Sequence, residues 1–77
     1  MRTTKPSKSE RTRDAILEAA EGLFSESGFD RTSLDAIGER AGILGTAILY
    51  QFPNKRALYE AVVSELFGWM FGSIREA

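Results

Sequence analysis

Residues 34–52 read LDAIGERAGILGTAILYQF, and the spacing within this stretch decides the fold. Leu34, Ile37 and Ala41 recur at helical intervals, which predicts a short helix over 34–41 with one buried face. Thr32 and Ser33 precede it as capping residues, and Asp35 sits in its first turn, where the helix dipole favours an acid. Gly42 stops the helix, because glycine takes a left-handed turn conformation without steric cost. A second short helix is expected from about Gly45 to Gln51, with Ile48 inward and Leu49 beside it. Two short helices joined by a turn at Gly42-Ile43 have helix-turn-helix dimensions. Gly38 is small where the second helix must pass close by, and Ile37, Ile43 and Ile48 form the apolar wedge that sets the angle between the two. This spacing alone leaves two readings open, a plain helical hairpin in a small bundle and a DNA-binding motif. In the latter, the second helix enters the major groove and the first crosses the backbone.

Outward from this stretch the chain is helical in both directions. Ser7 and Glu10 have the spacing of a capping box. From about Ser9 to Ser27, Ile16, Leu17, Ala20, Leu23, Phe24 and Ser27 form one stripe, with Asp14, Glu18, Glu21 and Glu26 mostly off it. Gly28 is a natural stop, and Phe29 is apolar just after it. On the other side, Phe52-Pro53-Asn54 breaks the chain, and Asn54 caps a fourth helix that starts at Lys55. The fold class is therefore all-α: a three-helix unit plus the start of a long fourth helix. Residues 1–8 are expected to be a flexible basic arm, 9–54 the helix-turn-helix domain and 55–77 the fourth helix.

Composition narrows the chemistry. Seventy-seven residues allow one small domain. There is no Cys and no His, which removes disulfides, thiolate metal sites, the commonest general base and the commonest metal ligand. No catalytic constellation, metal set or cofactor motif is present, so an enzyme is not expected. No apolar run is long enough to span a membrane, and the first residues lack the apolar core of a secretory signal. The net charge of −1 hides an asymmetry: residues 1–13 carry five basic side chains against one acidic, and 14–77 carry five against ten. A basic arm on an acidic body suits an anionic partner.

The chain resembles the DNA-binding domain of TetR/AcrR-type bacterial transcription regulators. The resemblance rests on Ile16-Leu17-x-Ala19-Ala20-x-x-Leu23-Phe24, Gly28-Phe29 and Thr32-Ser33-Leu34-Asp35-x-Ile37-Gly38-x-x-Ala41-Gly42-Ile43. It continues with Ile48-Leu49-Tyr50-Gln51-Phe52-Pro53-Asn54-Lys55-x-Ala57-Leu58, and covers about residues 9–65. It implies a repressor that binds duplex DNA in a sequence-specific way, in the cytoplasm, as a homodimer in its full-length form. A small-molecule effector would bind a C-terminal domain absent from this chain. The departures are informative. Leu44 stands where the family often has a capping Ser or Thr, forfeiting about 1 kcal/mol. Gly45 replaces a polar residue, Gly38 an alanine, and Gln51 a histidine or tyrosine.

Chemistry then suggests roles. Thr46 can reach a phosphate or base, or offer its methyl to thymine, and Gln51 can pair with adenine if it faces the groove. Tyr50 suits a phosphate through its phenol, or else is a half-buried core aromatic. Lys55 and the group Arg31, Thr32 and Ser33 stand at helix starts, where phosphates bind. With Leu44 and Gly45 these are the expected DNA-facing positions.

The alternative function is a helical interaction or self-association module. Beyond Glu65 the fourth helix becomes apolar nearly all round, through Leu66, Phe67, Trp69, Met70, Phe71 and Ile74. A helix apolar on every side expects to be buried, so these residues are candidates for self-association.

Overall fold

A computed structural model describes residues 7–76, with side chains described from Ser7 to Gly68. Four helices follow one another: α1 (Lys8–Ser27), α2 (Leu34–Ala41), α3 (Gly45–Ile48) and α4 (Lys55–Glu76). No strand occurs among the described residues.

Local chemistry sets each boundary. At the start of α1 the Ser7 hydroxyl accepts from the Glu10 N–H at 3.1 Å, and the Glu10 carboxylate accepts from the Ser7 N–H at 2.9 Å. This reciprocal cap starts the helix at Lys8, so Lys8 belongs to α1 and not to the arm. Residues 1–6, the rest of the expected arm, lie outside the described residues. Ser33, not Thr32, caps α2, its hydroxyl accepting from the Ala36 N–H at 3.0 Å. Ser33→Ala is expected to destabilise the domain by about 1 kcal/mol, read as a lower urea midpoint with unchanged slope. Gly42 ends α2 at φ 84°, the left-handed region, and the Ile43 N–H then closes on the Gly38 carbonyl at 2.8 Å. The Asn54 carboxamide oxygen accepts from the Ala57 N–H at 2.7 Å and caps α4.

One boundary differs from the sequence expectation. The helix expected over 45–51 is α-helical only to Ile48, and Leu49, Tyr50 and Gln51 continue as tighter turns. Their N–H groups bond to Thr46, Ala47 and Ile48 carbonyls, each three residues back. Pro53 explains part of this, since it disfavours the helical region for Phe52 and ends the helix early.

Ile16, Ala20, Ile37, Ile48 and Leu58 are wholly buried, joined by Phe52 and Val62. Thus every helix contributes to one core: α1 lies against α2 and α4, and α2 against α3. Leu49, expected beside Ile48 on the inner face, is instead 45% exposed. One residue on from Ile48 is about 100° around a helix, so Ile48 filling the core turns Leu49 outward. Phe24, Phe29 and Tyr59 form a second cluster, with ring centroids 5.2–5.7 Å apart, that fastens the loop after α1 to α4. The ion pairs Arg40–Glu26 and Arg56–Glu60 lie on the surface and contribute little.

Candidate nucleic-acid interface

The α2–α3 pair is held together by absent side chains. A Cβ on Gly38 would lie 2.7 Å from the Ile43 carbonyl oxygen and 2.8 Å from the Gly45 nitrogen. A Cβ on Gly45 would meet the Asp35 carboxylate and lie 3.0 Å from the Asp35 Cα. The two glycines thus let the start of α3 rest directly on α2. Gly45 is buried in consequence, and it presents no side chain to a ligand.

The other expected contact residues divide into two groups. Arg31, Ser33, Leu44, Thr46 and Tyr50 are exposed. Tyr50, at 92% exposure, is clearly not a half-buried core aromatic. Leu44 is 75% exposed and makes no side-chain cap to α3.

The second group is engaged within the fold. Thr32 is 2% exposed. Its hydroxyl donates to the Gly28 carbonyl at 2.7 Å, with the Leu23 carbonyl at 3.2 Å, and its N–H faces the Phe29 carbonyl. Both donors of Thr32, a residue expected at a phosphate, are thus engaged within the α1–α2 loop. Lys55, also expected at a phosphate, is engaged in the same way. Its ammonium donates to the Phe29 carbonyl at 2.7 Å and the Thr32 carbonyl at 2.9 Å, and lies 4.2 Å from the Phe29 ring centroid. Carbonyl oxygens and a ring face are the partners a cation seeks, so Lys55 positions this loop. Gln51 is half-buried, and its Nε2 donates to the Ser9 carbonyl at 3.1 Å, tying the end of the α3 segment to the first turn of α1.

That tie reveals two cations not included among the sequence-derived contacts. Lys8 and Arg11 are exposed on the first turns of α1. With Thr12 and Ala15 they line a groove shared with Ala41 and Ile43 of the α2–α3 turn. Neither forms an ion pair among the described residues. The signal was in the sequence: the Ser7–Glu10 cap already places Lys8 and Arg11 on a helix rather than in an arm. Arg13 is drawn inward instead, its guanidinium 5.3 Å from the Phe52 ring centroid and 3.8 Å from Glu65.

The arrangement is a helix-turn-helix whose second segment carries no charge, flanked by exposed cations at the starts of α1 and α2. Residues 16–62 match the family described as bacterial regulatory proteins, tetR family. The chain belongs to the TetR family. The match runs from the middle of α1 to Val62 of α4 and includes the whole α2–α3 unit. Among curated relatives, the HTH-type transcriptional regulator RutR of Escherichia coli is 50% identical over 52 residues, covering 68% of this chain and 24% of RutR. The HTH-type transcriptional repressor KstR2 of Mycolicibacterium smegmatis is 30% identical over 71 residues, 92% of this chain and 35% of KstR2. The biofilm operon icaADBC HTH-type negative transcriptional regulator IcaR of Staphylococcus aureus is 36% identical over 58 residues, 75% of this chain and 31% of IcaR. The chain spans about a quarter to a third of the length of these relatives.

Within the described residues no group of His, Cys, Asp and Glu could hold a metal ion, and no helix is long and apolar enough to cross a membrane. Of the expected self-association residues, Leu66 and Phe67 are about half exposed on α4. The side chains of Trp69, Met70, Phe71 and Ile74 lie outside the described residues.

Proposed function

We propose that this TetR-family chain is the DNA-binding unit of a transcriptional repressor. The α3 segment enters the major groove of duplex DNA, and Arg31, Lys8 and Arg11 take phosphates on either side of it. Ser33 and the Tyr50 phenol add uncharged backbone contacts, and Thr46 and Leu44 face the bases. The observation that carries this reading is the pairing of an exposed, uncharged recognition segment with exposed cations around it. The printed names of KstR2 and IcaR, a repressor and a negative regulator, support repression as the outcome. In the full regulator two copies place two α3 segments on one operator, a further domain binds a small effector, and the protein works in the cytoplasm. Self-association through α4 is not favoured as the chain's main function, because the family match centres on the helix-turn-helix.

Salt dependence tests the reading. With about three phosphates neutralised per chain, by Arg31, Lys8 and Arg11, log K against log salt is expected to fall with a slope of about −2.7. Arg31→Ala and Arg11→Ala are each expected to reduce that slope by about one, for all sequences alike. Affinity for random duplex that is the same at low and moderate salt would refute the proposal.

A further inference from the structure

The α3 segment offers no charged side chain for base contact. From Ile43 to Asn54 the chain carries no charge. Three of its positions offer no polar reader. Gly45 has no side chain and no room for one, since a Cβ there would meet the Asp35 carboxylate. Ile48 is buried in the core. The amide N–H of Gln51 is directed to the Ser9 carbonyl on α1. What remains exposed at the start of α3 is Leu44 and, two residues on, Thr46.

Leu44 is hard to account for from the fold. It occupies the N-cap of α3 without making a cap, and three quarters of its surface is in water. A serine there would satisfy a free N–H and expose no hydrocarbon. An apolar residue in that place gains only if an apolar group comes to meet it. The major groove displays one such group at base edges, the C5-methyl of thymine, and the first residues of a recognition helix are those that reach base edges. Leu49 and Tyr50 are also exposed, but they follow α3 and leave its start to Leu44 and Thr46.

We infer that Leu44, together with the methyl of Thr46, reads thymine C5-methyl groups, so that this chain selects its sites by thymine placement rather than by hydrogen bonds to guanine or adenine. The inference rests on the proposed DNA binding and names what that interface recognises.

The test removes methyl groups and nothing else. Duplexes are selected from a randomised pool with the 77-residue chain at low salt. Each thymine of the preferred site is then replaced by deoxyuridine, which keeps every hydrogen-bonding group. One or two positions are expected to lose roughly fourfold in affinity each, the value of one buried methyl. Leu44→Ser is expected to abolish the loss at one of these positions. Its helical circular dichroism should be unchanged, since Leu44 supports no core contact. Equal affinity for thymine and deoxyuridine throughout, or a Leu44→Ser chain with the full penalty at every position, would overturn methyl reading and leave DNA binding intact. A pool that yields no preferred site would overturn it as well. A chain that binds no duplex at low salt would overturn both.

Discussion

Ile37→Ala is expected to lower the unfolding free energy by about 2–5 kcal/mol. Ile37 is wholly buried in the one core to which all four helices contribute. The lost side chain removes transfer free energy and leaves a cavity that short helices joined by tight turns close only in part. Scale decides the outcome. At roughly 0.05–0.15 kcal/mol per residue, a chain of this size has roughly 4–12 kcal/mol in total. The variant should therefore melt roughly 8–40 °C lower than the parent, since 1 kcal/mol shifts the Tm of so small a domain by about 4–8 °C. Thermal unfolding by circular dichroism measures this, with Leu66→Ala as the control. Leu66 is half exposed on α4 and its truncation should stay within about 0.5 kcal/mol. A shift for Ile37→Ala no larger than the control's would mean that α2 is not held by this core.

The helices were legible in the sequence wherever a local signal sets them. The Ser7–Glu10 box, the stops at Gly28 and Gly42 and the Asn54 cap each act within four residues of their partner, so residue order is enough to read them. Gly38 was legible for a related reason, since a close approach between consecutive helices needs a small residue. The reach of the α3 segment was less so. Its tightening after Ile48 combines Pro53 downstream with the core's hold on Ile48, and the second of these is tertiary. The interface was legible in its placement but not in the state of each side chain. Thr32 and Lys55 have the residue types and helix-start positions of phosphate ligands. Their donors are taken by carbonyls of residues 23–32, and for Lys55 the partners are at least 23 positions distant along the chain. No local pattern reports the Lys55 contacts. The long-range bond from Gln51 to Ser9 is hidden in the same way, and with it the position of Lys8 and Arg11 beside the α2–α3 turn.

Lys55→Ala is expected to separate fold from ligand contact. In the intact chain the Lys55 ammonium crosses from α4 to the α1–α2 loop and holds two of its carbonyls while lying over the Phe29 ring. Hydrogen bonds to a charged donor contribute about 1.5–3 kcal/mol each when buried. This site is only part-buried, so water replaces some of what is lost, and a total of about 1–3 kcal/mol is expected. The loop it holds carries Arg31 and Ser33, so DNA affinity should fall with stability as these residues lose their fixed places. The salt slope tells how. A phosphate ligand removed lowers the slope of log K against log salt by about 0.9, whereas a loosened loop weakens binding with the slope nearly kept. Lys55→Ala should follow the second pattern and Arg31→Ala the first. Were Lys55→Ala to leave the urea midpoint unmoved while cutting the slope by a full unit, Lys55 would be the phosphate ligand its position at the helix start suggests, and its two carbonyl partners would contribute nothing to stability.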